Sequence, residues 1–149
     1  MIIKMLLAAA LLGSSSFSLA YDFKCIHEKD TAPPLDQQAD QWFQQARALS
    51  KKRPADWDKI ASLYQQAVEQ NHWKAMHNLA ELYLRGDGVN KDTNKAIDLY
   101  LQMIKLQAPL GYYDMSVMTQ RGVGVVQSSR DAMMFLLKAG DMGQCHQLW

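Results

Sequence analysis

Residues 75–100 read AMHNLAELYLRGDGVNKDTNKAIDLY, and this stretch decides the fold because it recurs. Moved 36 residues forward, Gly86-Asp87-Gly88-Val89 falls on Gly122-Val123-Gly124-Val125, Ala75 on Gly111, Leu79 on Met115 and Ala96 on Ala132. Moved the same distance back, Lys95 falls on Lys59, Leu99 on Leu63, Tyr100 on Tyr64 and Asp92 on Asp56. The register reaches Ala39, Phe43 and Ala46, and needs no insertion from Ala39 to Ala139. A fixed period of this length marks a repeat architecture, in which no single unit can bury its own apolar face.

Within each unit the apolar spacing is helical. Leu35, Ala39, Trp42, Phe43, Ala46 and Leu49 follow one helix face, as do Ile60, Leu63, Tyr64, Ala67 and Val68. Ala75, Leu79, Leu82 and Tyr83 make a third stripe, and Ala96, Leu99, Tyr100, Met103 and Ile104 a fourth. Two more helices are expected over roughly 109–120 and 129–139. Gly86, Gly88, Gly122 and Gly124 fall between the first and second helix of a unit, where glycine closes a helix in the left-handed conformation. Asp36 and Asp92 stand where N-caps belong. The expected fold is all-α: an α-solenoid of about three antiparallel helix pairs over 35–143, preceded by an extension at 21–34. Trp42, Trp57 and Trp73 read as core or inter-repeat packing.

Residues 1–20 stand apart. Lys4 precedes the apolar run Met5 to Leu12, and Ser18-Leu19-Ala20 offers small residues for a signal peptidase. The run is far short of the ~20 residues a membrane span needs, so no stable membrane insertion is expected. Cleavage after Ala20 implies export to the periplasm. It removes Lys4 and no acid, so the 16 basic side chains of the whole chain fall level with the 15 acidic ones. A neutral chain has no charge surplus with which to hold nucleic-acid phosphates.

The motif Ala75-x3-Leu79-Ala80-x2-Tyr83-x2-Gly86-x-Gly88-Val89-x2-Asp92-x3-Ala96-x3-Tyr100 resembles a Sel1-like repeat of the tetratricopeptide-like class. Gly111-x3-Met115-x6-Gly122-x-Gly124-Val125-x6-Ala132 resembles a second, with Thr119 for the usual Tyr and Ser128 for the usual Asp. Residues 39–70 keep the spacing without the glycines and form a degenerate copy. Cys25-Ile26-His27-Glu28, Pro33-Pro34-Leu35-Asp36 and Gly111-Tyr112-Tyr113-Asp114-Met115 resemble a secreted bacterial subgroup carrying a domain of unknown function. Some of its periplasmic relatives are immunity proteins that neutralise lipase effectors delivered by type VI secretion. The resemblance thus implies a protein partner of lipase-effector type, with an envelope scaffold or adaptor as the alternative.

Catalytic signatures are missing. No Gly-x-Ser-x-Gly occurs, and Gly86-x-Gly88 lacks the third glycine and the strand of a dinucleotide site. His72 and His77 are not an i, i+4 metal-binding pair. Glu81 and Asp87 have no evident reason to be desolvated. No enzyme activity, metal or cofactor is expected.

A repeat protein of this kind acts through one helix of every pair. His77, Glu81 and Arg85 share a face that the apolar stripe leaves out, and Tyr113, Val117 and Arg121 are their equivalents 36 residues on. Aromatic and Arg anchors suit a protein interface. Tyr113 could instead pack against Tyr112 and the next repeat. Cys25 and Cys145 could pair in an oxidising compartment, contributing ~4–5 kcal/mol. Stacking sets the ends roughly 25 Å apart, while the extension from Ile26 could reach about 40 Å, so the disulfide, a free thiol and an intermolecular bridge all stay open. The tail 144–149 matches nothing in the repeat, which suggests a shortened last unit or an end covered by a partner.

Overall fold

The structure, a computed structural model, describes residues 32–143. The segment 1–20, Cys25 and Cys145 lie outside the described residues, as does the tail from 144. Six helices follow in order: α1 (Gln37–Ser50), α2 (Trp57–Glu69), α3 (Trp73–Arg85), α4 (Thr93–Lys105), α5 (Pro109–Arg121) and α6 (Ser129–Asp141). There is no strand among the described residues. The all-α solenoid expected from the 36-residue period is the observed fold.

Local chemistry sets the helix starts. The side chains of Asp36, Asp56, Asp92 and Ser128 accept from the backbone N–H of the residue three positions on, at 2.9, 3.1, 3.0 and 3.2 Å. Such caps satisfy amides that an α-helix leaves without partners. α5 starts with Pro109, which has no N–H to satisfy, and Ala108 before it makes no side-chain cap. α3 is capped by His72, which the spacing of apolar residues gave no reason to single out. At the other end, Gly86 and Gly122 close α3 and α5 in the left-handed region, with φ of 82° and 67°.

Stacking buries the stripes. Each helix packs mainly on its neighbours in the chain, and α3 also touches α5. Ala39, Phe43 and Ala46 of α1, Ile60, Leu63 and Tyr64 of α2, and Ala75, Met76 and Leu79 of α3 join one continuous core with Ala96, Leu99, Tyr100 and Met103 of α4. Trp73 is buried, and its Nε1–H donates to the Pro33 carbonyl at 3.2 Å, which ties the N-terminal extension to α3. Trp42 and Trp57 are only half-buried at the edge of the core.

The units approach closely at glycines, and at two of them backbone or a Cβ stands in the way of a side chain. A Cβ at Gly88 would overlap the backbone carbonyl of Trp57, and one at Gly111 would lie 2.7 Å from the Met103 Cβ. Second helices also exit alike: Asn71, Gln107 and Gly143, spaced 36 apart, all have positive φ. No described helix is long and apolar enough to cross a membrane.

Candidate protein-binding face

α3 and α5 lie side by side as the first helices of adjacent units, and a cleft of about 430 Å³ runs between them. His77, Glu81 and Leu84 of α3 form one wall, and Tyr113, Val117 and Arg121 of α5 the other. Tyr100 of α4 lies between them, with Lys91 and Val123 contributed by the loops. Five of the six residues singled out on the repeat face therefore meet in one cleft. Arg85 does not line it; it faces a second hollow of about 320 Å³ with Arg47, Tyr64 and Asn78, and Glu81 borders both.

The first cleft is internally wired. His77 Nδ1–H donates to Asp114 Oδ2 at 2.8 Å, and the Tyr100 hydroxyl donates to Glu81 Oε1 at 3.0 Å. Glu81 also accepts from Arg85 at 3.4 Å, while Arg85 Nε donates to Asp87 at 2.7 Å. Asp114 is only 6% exposed. Burial pushes its carboxyl up from the ordinary value, opposed by His77. For His77, burial would lower the pKa, but the Asp114 hydrogen bond and charge, with Glu81 behind, raise it. The Tyr100 hydroxyl is raised strongly by burial and by the Asp114 and Glu81 carboxylates, so it stays protonated and donating.

With the acids of the cleft committed internally, the basic residues Lys91 and Arg121 have no ion pair among the described residues. The walls thus combine aromatic surface with two cations that no carboxylate among the described residues pairs, a composition suited to protein contact. No group of three His, Cys, Asp or Glu side chains among the described residues is arranged to hold a metal ion.

Reading the apolar stripes alone missed Asp114 and its equivalent Asn78. The signal was present: Asn78 and Asp114 are 36 apart, as are Tyr64 and Tyr100. Asn78 Nδ2 donates to the Tyr64 hydroxyl at 3.0 Å, so a polar residue on the first helix meets a tyrosine on the preceding second helix. In the next unit Asp114 replaces Asn78 and turns to His77 instead.

Known proteins agree with this architecture. The Sel1 repeat family matches at residues 73–107 and 109–144. Among solved structures, immunity protein Pa5087 from Pseudomonas aeruginosa is similar with 47% identity over 80% of this chain and 46% of its own, at a TM-score of 0.67. Immunity protein PA5088 from the same organism is also 47% identical, over 83% of this chain and 46% of its own, with TM-score 0.67. A Sel1 repeat protein from Oxalobacter formigenes shares the fold at 22% identity and TM-score 0.66, over 72% of this chain and 45% of its own. The chain thus spans a little under half the length of these proteins. No curated protein matches significantly in sequence. The chain carries two matches to the Sel1 repeat, and its helix pairs stack in an α-solenoid like that of the Sel1 repeat proteins it resembles.

Proposed function

We propose that this protein is a non-catalytic periplasmic immunity protein that holds a secreted lipase-type effector on the face formed by α3 and α5. The observation that carries the reading is the 47% identity to immunity protein Pa5087 across 80% of this chain. The cleft supports it physically. Tyr113 and Val117 offer apolar contact, and Lys91 and Arg121 offer charge that no internal acid consumes. An effector segment with an apolar side chain flanked by an acid fits this arrangement. Inhibition by steric occlusion asks for no nucleophile and no metal. Export is supported by Lys4, the apolar run to Leu12 and the small residues before Tyr21.

The test is an affinity pull-down of the tagged, exported protein from the periplasm of cells that also produce candidate type VI lipases. A stoichiometric lipase partner, lost when Tyr113 and Arg121 are both changed to Ala, supports the reading. Recovery of several envelope-resident proteins and no lipase would replace it with a scaffold.

A further inference from the structure

Four side chains on the outer surface of α6 form a row that stacking does not explain. Arg130, Met134, Leu137 and Asp141 are spaced four, three and four residues apart, which aligns them along one helix face. All are exposed, Met134 by 62% and Leu137 by 46%. The equivalent positions are Asp58, Ser62, Gln65 and Glu69 on α2, and Asn94, Asp98, Leu101 and Lys105 on α4. All eight of those are exposed even though a following helix pair is stacked beside each of these helices. A further repeat added in the same geometry would therefore leave the α6 row uncovered. Its apolar centre calls for something else.

The order of the row says what. From one end to the other it reads basic, apolar, apolar, acidic, which is complementary to itself when reversed. Laid antiparallel on a second α6, Arg130 meets Asp141, Met134 meets Leu137, and the twofold axis repeats both contacts. Asp131 and Lys138 lie together on one flank of the row, and the same axis brings each to the other's counterpart. Such flanking charges fix register and orientation in paired helices. None of these four charged side chains has an ion-pair partner among the described residues. A groove of about 780 Å³ runs along the row, lined by Met134, Leu137 and Asp141 themselves together with Tyr112, Thr119 and Phe135. In the preceding unit the larger Tyr83 stands where Thr119 does, with Lys95 Nζ 5.2 Å from its ring centroid. The open groove gives an incoming methionine room.

We propose that α6 pairs antiparallel with α6 of a second copy of this chain, making a twofold dimer that leaves the α3–α5 cleft of each copy free. Sedimentation equilibrium of the purified exported protein, at concentrations up to about 0.5 mM, should show its mass rising from one chain to two. Arg130→Asp should raise the dimer dissociation constant by about tenfold or more, because each dimer then loses two attractions and gains two repulsions. Asp141→Arg should do the same, and the double swap R130D/D141R should restore dimerisation to within about threefold of wild type. Met134→Asp should give a monomer with an unchanged circular dichroism spectrum, since the side chain is not part of the core. A single-chain mass at every concentration would overturn the proposal, as would a dimer indifferent to charge reversal or a double swap that fails to restore it.

Discussion

The ring of His72 is held at both nitrogens. Its Nδ1 accepts the Ala75 N–H at 3.1 Å, so the proton sits on Nε2, which faces Asp40 at 3.3 Å. Phe43 packs on the ring with centroids 4.6 Å apart, and the residue is fully buried. Burial is the main reason its pKa lies below the usual 6.5, with Asp40 pulling the other way. A proton on Nδ1 would also cost α3 its cap. The unfolded chain takes up this proton before the folded one does, so the contribution is whole above about pH 6.5 and declines as pH falls below it. His77 has the opposite sign: its raised pKa gives stability that is present below pH 6.5 and lost as pH rises through the folded value. Replacing His72 with Asn, which caps without titrating, should therefore flatten the acid side of a thermal-stability profile taken between about pH 8 and 5. An unchanged slope would remove His72 from that role. For His77 the check is an NMR titration of its ring. Asp114→Asn removes the carboxylate and leaves burial in charge, so the pKa should move from above 6.5 to below it.

At the scale of the helix and its turn, the glycines differ in what they are asked to do. Gly122 supplies a left-handed φ of 67°, and a side chain there meets only the Gln127 Cβ at 3.0 Å. Gly88 has positive φ as well, but it is also pressed against the backbone between Trp57 and Asp58 of the preceding unit. Gly122→Ala should accordingly cost about 1–2 kcal/mol. Gly88→Ala should cost more, about 2–4 kcal/mol, because backbone must move. Urea denaturation of the two variants checks the order, and equal losses would contradict the close approach. The same contrast explains what was legible. The stripe Ile60, Leu63, Tyr64, Ala67 and the Asp caps are local patterns, readable from spacing alone, as was the period that stacks the units. His72 as a cap was not, because a histidine caps only in the tautomer that Asp40, 32 residues away, holds in place; nor was Asp114 as a buried acid, whose partner His77 lies 37 residues away. α5 hides its stripe for a related reason: it is packed between α4 and α6 and buries Asp114, Ser116 and Thr119 among its apolar residues.

For the whole molecule, the repeat turns one short helix face into a surface. His77 and Glu81 are contributed by one unit and Tyr113, Val117 and Arg121 by the next, so the cleft exists only because two units stack in register. The outer row on α6 faces elsewhere, and pairing there would double the molecule without covering the cleft. The immunity proteins similar to this chain are longer, and it spans just under half of each. The α3–α5 face, where we propose that the effector binds, lies within the residues matched by the Sel1 repeat. Arg121→Ala alone should weaken effector binding by about 1–3 kcal/mol, as expected for removing a central Arg contact. The most direct measurement is a titration of purified type VI lipase effectors with the purified protein, followed by phospholipid hydrolysis. One effector should lose activity at a one-to-one ratio, and the folded variant with Tyr113→Ala and Arg121→Ala should fail to inhibit it. Lipases that all stay active at excess protein, or a double variant that inhibits as well as wild type, would contradict the account.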